Sequence, residues 1–219
     1  MAVEALEVQI AGERLLARAD RTLHWPSEGV LFAADIHLGK AATYRSLGVP
    51  VPKGTTATTL RRLDEALLET RPERLVLLGD LWHAKAGKTE AGILALSEWR
   101  AKHGSLSIDL VLGNHDLHAG SLPSDLGISE LPESFRCGAF RLCHHPCEHS
   151  AGYVLAGHVH PAICLAGKGR QSLTLPCFWF GKGCGLLPAF GEFTGCARIS
   201  PEPDDCVLAV ADGHVLRVR

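Results

Sequence analysis

An α/β fold in a single domain spanning residues 1–219 is what this sequence predicts, and three observations carry it. Three continuous apolar runs in the first half are bounded by Gly, Pro or Asp, as strands covered on both faces are. Patterns with helical period lie between them, so strand, helix, strand, helix, strand forms a βαβαβ unit with parallel strands. Beyond Phe135 the strands become short, turn-separated and Gly-rich, and helical patterns vanish. That part predicts a second, mainly antiparallel or mixed sheet packed on the first and sharing one core.

Taken in order, residues 5–25 read as two or three antiparallel strands, with turns at Ala11-Gly12-Glu13 and Arg18-Ala19-Asp20-Arg21. The apolar runs are Val30-Leu31-Phe32-Ala33-Ala34, Leu75-Val76-Leu77-Leu78 and Ile108-Asp109-Leu110-Val111-Leu112. From Thr59 to Thr70, Leu60, Leu63 and Leu67 share one helical face while Arg61, Arg62, Asp64, Glu65 and Glu69 lie elsewhere on the cylinder. Pro72 ends that helix. From Thr89 to His103 the same pattern returns through Ile93, Leu96 and Trp99.

Composition sets outer limits. Hydrophobic residues at 46% and charged residues at 21% exclude intrinsic disorder. No apolar run approaches the ~18 residues of a membrane span. The opening Met1-Ala2-Val3-Glu4-Ala5-Leu6-Glu7 lacks a basic and an apolar leader region, which predicts a cytoplasmic protein. Lys+Arg 22 against Asp+Glu 24 gives a net charge of -2, which excludes a whole-surface polyanion binder. A nucleic-acid partner would need a local basic patch, or metal ions in place of Lys and Arg. All 8 cysteines lie at or beyond Cys137 without C-x-x-C spacing and are expected to be reduced and mostly buried. A cysteine zinc site is the alternative, with Cys143 and Cys147 its best candidates.

The 12 histidines are not scattered. The three apolar runs end in Asp35-Ile36-His37, Gly79-Asp80-Leu81-Trp82-His83 and Gly113-Asn114-His115-Asp116. The second half adds Cys143-His144-His145-Pro146 and Gly157-His158-Val159-His160. Parallel strands align their carboxyl ends along one edge, so the first three clusters must meet there. The spacing of two in Asp35/His37 and in His158/His160 places each pair on one side of an extended segment.

Each fragment alone is ordinary: Asp-x-His and Gly-Asp occur in common turns, and His-x-His is usually surface chemistry. All five together at strand ends predict a metal site. Carboxylate, imidazole and one amide oxygen suit Mn²⁺, Fe, Zn²⁺ or Ni²⁺ and disfavour soft metals and iron–sulfur clusters. So many ligands exceed one tetrahedral ion and suit two divalent ions sharing a bridge. Such a pair activates water and clamps a phosphoryl group, the chemistry of phosphoester hydrolysis.

These five clusters resemble the calcineurin-like metallophosphoesterases over about residues 29–161. The resemblance implies two packed mixed β-sheets flanked by helices. It also implies that Asp35, His37 and His160 hold one ion and that Asn114, His158 and a histidine of the 144/145 pair hold the other. His144, the first polar residue after its strand, is preferred and His145 is the alternative. Asp80 would bridge the ions. His115 would face the phosphate, steered by Asp116, as the general acid, with His83 the next candidate. The family usually has a single His where this chain has His144-His145-Pro146.

A narrower resemblance is to the bacterial DNA ligase-associated metallophosphoesterases, DNA nucleases encoded beside repair ligase and helicase genes. Asp35-Ile36-His37-Leu38-Gly39-Lys40, Tyr44-Arg45-Ser46-Leu47-Gly48-Val49-Pro50-Val51-Pro52 and Leu78-Gly79-Asp80-Leu81-Trp82-His83 carry it. It implies a manganese-dependent endonuclease of DNA repair acting on single-stranded DNA, with functional links to a ligase and a helicase. Lys40, Arg45 and Arg61-Arg62 are then candidates for phosphate contacts, although Arg61-Arg62 reads better as a solvated helix face. Tyr44 and Trp82 are candidates for stacking on bases, with Trp82 equally readable as core. The rival functions are a small-molecule phosphatase or cyclic-nucleotide phosphodiesterase, and a non-enzymatic scaffold. Short loops without a cap insertion favour a polymer substrate over the first, and retention of every ligand opposes the second.

Overall fold

The computed structural model describes residues 3–147, 152–167, 169 and 171–219, so Met1 and Ala2 of the opening segment lie outside it. Strands β1 (Ala5–Ile10), β2 (Glu13–Arg18) and β3 (Leu23–Trp25) form an antiparallel ribbon with its turns where the sequence places them. Then β4 (Val30–Ala33), β5 (Arg74–Leu77), β6 (Ser107–Val111) and β7 (Ser129–Leu131) run parallel. The seven strands form one sheet in sequence order.

Helix α1 (Lys40–Ser46) and helix α2 (Thr55–Thr70) follow β4; α3 (Glu90–Lys102) follows β5 and α4 (Asn114–Ala119) follows β6. The long helices match the sequence reading, although α2 begins at Thr55, four residues before the expected Thr59. It stops at Arg71, whose left-handed backbone donates its N–H to the Leu67 carbonyl just before Pro72. Thr89 caps α3 by accepting a bond from the Gly92 N–H at 3.2 Å. The short helices α1 and α4 carry no apolar stripe and leave no periodic trace.

In the second sheet, β8 (Phe135–Cys137), β9 (Phe140–Cys143), β10 (Tyr153–Ala156), β11 (Pro161–Ala166), β12 (Ser172–Phe180), β13 (Cys184–Leu186), β14 (Ala197–Arg198), β15 (Cys206–Ala211) and β16 (His214–Arg217) make a mixed arrangement. The expected change of character beyond Phe135 is therefore present. β9 and β13 both pair parallel with β10.

Alternation along the strands explains the layering. Val30, Phe32 and Val76 meet Phe140, Leu142, Leu155, Phe178 and Leu208 between the sheets. Leu31, Ala33, Leu75 and Leu77 turn the other way, against Leu60, Leu63, Leu67, Leu96 and Trp99 of α2 and α3. Among the described residues no helix is long and apolar enough to cross a membrane.

Register brings the polar strand ends together. Ala33 pairs with Leu77, and Leu77 with Leu110, so Asp35, Asp80 and Asn114 leave one edge of the first sheet. Cys143 pairs with Ala156, so His144 and His158 leave the second sheet side by side.

Candidate metal centre

The segments bearing the predicted ligands share an unusual backbone. Asp35, His37, Asp80, His158 and His160 have φ of 53°, 50°, 54°, 64° and 52°. Left-handed non-glycine residues cost about 1–3 kcal/mol each and persist only where the surroundings enforce them. Here they do. The His37 N–H donates to the Asp80 carbonyl at 2.8 Å, and the His158 N–H to the Asp35 carboxylate at 2.9 and 3.1 Å. The expectation of extended segments is corrected by this: Asp35/His37 and His158/His160 converge through left-handed turns, not through the alternation of a pleat.

The glycines in the motifs are there for space. A Cβ on Gly79 would lie 2.0 Å from His144 Nδ1, and one on Gly113 would lie 2.2 Å from Asp80 Oδ1. A side chain at either position would force its neighbours apart.

The side chains meet in two adjoining groups. In the first, His160 Nε2 lies 3.4 Å from Asp35 Oδ1 and 3.3 Å from His37 Nε2. In the second, His144 Nε2 lies 3.0 Å from Asn114 Oδ1, 3.1 Å from His158 Nδ1 and 3.5 Å from Asp80 Oδ2. Asp80 faces both, with His37 Nε2 at 3.9 Å from the same oxygen. Asp35, His37 and His160 satisfy the spacing of a metal-holding group, as do Asp35, Asp80 and His144.

Tautomers test whether cations fit this space. His160 Nδ1 donates to the Gly195 carbonyl at 3.0 Å and His144 Nδ1 to the Leu78 carbonyl at 3.0 Å. A carbonyl only accepts, so both Nε2 atoms carry lone pairs when the rings are neutral. His144 Nε2 then faces the Asn114 amide group and an Asp80 oxygen, and His160 Nε2 faces Asp35. Acceptors converge on acceptors with few protons between them, which is the arrangement a divalent cation resolves. Burial holds His37 neutral, its pKa lowered to about 2, and burial lowers His144 and His158 as well. Burial also opposes protonation of His160, but its bond to Asp35 and that carboxylate's charge outweigh it and raise its pKa.

A crystal structure of the Pseudomonas putida nuclease MPE superposes on this chain with a TM-score of 0.87 and 37% sequence identity, covering 98% of this chain and 100% of that one. The chain belongs to the metallophosphoesterase family. Yfce, a phosphoesterase from E. coli, is a distant likeness, with TM-score 0.44 and 17% identity over 86% of this chain and 97% of that one. No family model and no curated protein matches the metallophosphoesterase.

The two adjacent histidines of this metallophosphoesterase have different surroundings. The His144 side chain is fully buried inside the cluster. The His145 side chain is 42% exposed and bonds Glu133 at 3.0 Å, although its ring edge remains near His158. His115 stands at the mouth, its backbone N–H donating to Asp80 Oδ1 at 2.9 Å and its Nδ1 to the His83 carbonyl. The His83 ring stacks on it at 4.7 Å, with a pKa lowered by burial to about 4.

Asp116 does not steer His115. Its carboxylate accepts the N–H groups of Trp82 and Gly113, both at 3.1 Å, tying the loop after β5 to the start of α4. Neighbours in sequence on a helix point about 100° apart, so Asp116 turns inward while His115 turns to the mouth. Burial raises the Asp116 pKa to about 6. The His83 carbonyl orients His115 instead.

Other candidates resolve as structure. Trp82 is buried in the core, out of reach of any base. Arg45 donates to the carbonyls of Val51 and Pro52. Arg61 pairs with Glu65 on the solvated face, whereas Arg62 is tucked beneath the loop at Phe190, donating to its carbonyl at 2.9 Å and lying over its ring. Cys143 and Cys147 place their sulfurs 3.3 Å apart, but among the described residues no cysteine joins a metal-holding group. Cys164 and Cys196 are exposed and Cys137, Cys143 and Cys177 buried, so burial of the thiols is only partial. The sequence reading missed Gly191 and Gly195, whose backbone groups hold Asp35 and His160. They are backbone contacts from a loop without a motif and leave no signal in residue type.

Proposed function

We propose that this metallophosphoesterase is a binuclear, metal-dependent phosphodiesterase that cuts single-stranded DNA. The convergence of unprotonated donors around Asp80 is the observation that carries the reading. The nuclease named for the Pseudomonas putida relative supports nucleic acid as the substrate. Asp35, His37 and His160 would hold one ion, and Asn114, His144 and His158 the other, with Asp80 shared. Two bound divalent ions, with Mn²⁺ first and Zn²⁺, Fe or Ni²⁺ as alternatives, supply positive charge to the phosphoryl oxygens and lower the pKa of a water.

The chain's own groups do the rest. His115 lies at the mouth with its Nδ1–H donating to the His83 carbonyl, so Nε2 of the doubly protonated ring is the atom that would give a proton to the departing sugar oxygen and be left neutral. His83, stacked on it, is the second candidate for that role. The Asp116 carboxylate keeps α4, and with it Asn114 and His115, in place. His158 is exposed and His115 partly so, which leaves the centre open to a strand. A cytoplasmic role in DNA repair, linked functionally to a ligase and a helicase, belongs to the same proposal.

The test is incubation with labelled single- and double-stranded DNA, mononucleotides and aryl phosphates in Mn²⁺, Mg²⁺, Zn²⁺ and Ni²⁺. Cleavage of single-stranded DNA is expected, strongest in Mn²⁺. Hydrolysis confined to nucleotides or monoesters would replace the reading with a small-molecule phosphatase, and no hydrolysis at all would leave a scaffold.

A further inference from the structure

Lys40 is the charged residue at this centre that the fold itself does not use. Gly39, in left-handed backbone, packs so closely on the turn at 85–87 that a Cβ would lie 2.2 Å from the Gly87 carbonyl oxygen. The Gly39 N–H also donates to the Thr56 hydroxyl at 3.3 Å, and the Lys40 N–H to the His37 carbonyl at 3.2 Å. These contacts fix the first turn of α1 against the ligand segment. Lys40 is only 7% exposed there. Its ammonium lies within electrostatic reach of Asp35, Asp80, His37, His83 and His160. Yet among the described residues it has no hydrogen bond and no ion pair.

The Lys40 stem is buried, while the ammonium keeps a solvent-accessible face and finds no partner among the described residues. Asp35 and Asp80 do not account for it, because together they balance the charge of one divalent ion. A second ion leaves the centre cationic, and Lys40 adds to the excess instead of cancelling it. An anion that enters here meets that excess positive charge. Tyr44, one turn further along α1, meets the His83 ring edge-on with centroids 5.9 Å apart, so this face of the helix borders the mouth where His115 stands.

We propose that the Lys40 ammonium binds a phosphate oxygen of the substrate strand at the edge of the metal centre. This rests on the phosphodiesterase reading above and names a group that reading does not use. Lys40 is a phosphate-binding residue here, neither a metal ligand nor the source of the proton.

Calorimetric titration of the Mn²⁺-loaded protein with inorganic phosphate tests it, together with kcat and KM for bis-(p-nitrophenyl) phosphate. Lys40→Gln should weaken phosphate binding about tenfold, the size of one charge-assisted hydrogen bond, and raise KM more than it lowers kcat. Lys40→Arg should stay within about threefold of wild type because it keeps the charge. Metal content and Tm should not change in either. Unaltered phosphate binding in Lys40→Gln overturns the proposal. So does loss of metal or fold in both Lys40→Gln and the stem-preserving Lys40→Met, which would make the amine structural. A wild-type protein that binds phosphate through Lys40 but hydrolyses no diester would defeat the function and leave this inference standing.

Discussion

Adding one methyl group at Gly113 tests the architecture of the centre without touching a ligand. Gly113 has φ -94° and ψ 170°, an ordinary conformation for alanine, so Gly113→Ala introduces no backbone strain. The new Cβ, however, would lie 2.2 Å from Asp80 Oδ1 and 2.6 Å from the Asp80 backbone nitrogen, where an ordinary contact needs at least 3.4 Å. Rotating the Asp80 side chain relieves only the first clash. The second forces α4 away from the loop after β5 by most of an ångström, against the Trp82 N–H bond that Asp116 accepts across that junction. Overpacking of this kind costs about 1–3 kcal/mol, which for a chain of this size lowers Tm by about 2–12 °C. A displacement near 1 Å between Asp80 and the Asn114-His115 pair should lower diester hydrolysis about a hundredfold. Thermal melts, metal analysis and bis-(p-nitrophenyl) phosphate turnover read the three effects. Gly183→Ala, where a Cβ meets nothing within 4 Å, is the control and should change Tm by no more than about 1–2 °C. Wild-type melting and turnover in Gly113→Ala would refute the close packing of α4 on Asp80.

Asp80→Ala should abolish hydrolysis and lower bound metal, and two tightly held ions in that variant would dismiss Asp80 as the bridge. His144→Ala should reduce turnover by more than about a hundredfold, whereas the exposed His145→Ala should stay within a few-fold; the reverse order would exchange their roles. His115→Ala should nearly eliminate DNA cleavage yet spare an activated aryl diester, whose leaving group needs no proton, while Asp35→Ala loses both. Proportional loss of the two substrates in His115→Ala would show that it acts through the metals or the fold. In native protein, a thiol reagent should modify the exposed Cys164 and Cys196 quickly, and Cys143 and Cys177, raised by burial to about 12, only on unfolding.

Period and punctuation made much of the molecule legible in sequence. Val30–Ala34, Leu75–Leu78 and, apart from Asp109 paired with Arg74, Ile108–Leu112 are apolar on both faces because helices cover one side and the second sheet the other, so strand and burial coincide in residue type. Because parallel strands end at one edge, the sequence alone brings Asp35, Asp80 and Asn114 together. Residue type also carries metal chemistry, and the converged donors are the ones that the sequence singled out. What lay beyond it depends on direction and packing. Left-handed backbone at five of the candidate ligand positions is imposed by bonds from partners far along the chain. That Asp116 turns away from His115, that Trp82 is core and that Arg62 lies under Phe190 follow from which way each side chain points. What separates His144 from His145 is one residue of register: pairing of Cys143 with Ala156 sends the first ring inward beside His158 and leaves the second against Glu133. Lys40 stands in the sequence only as one of several basic candidates for a phosphate contact. Only the Gly39–Gly87 contact, made between segments nearly fifty residues apart, buries it beside the carboxylates and leaves its charge without a partner.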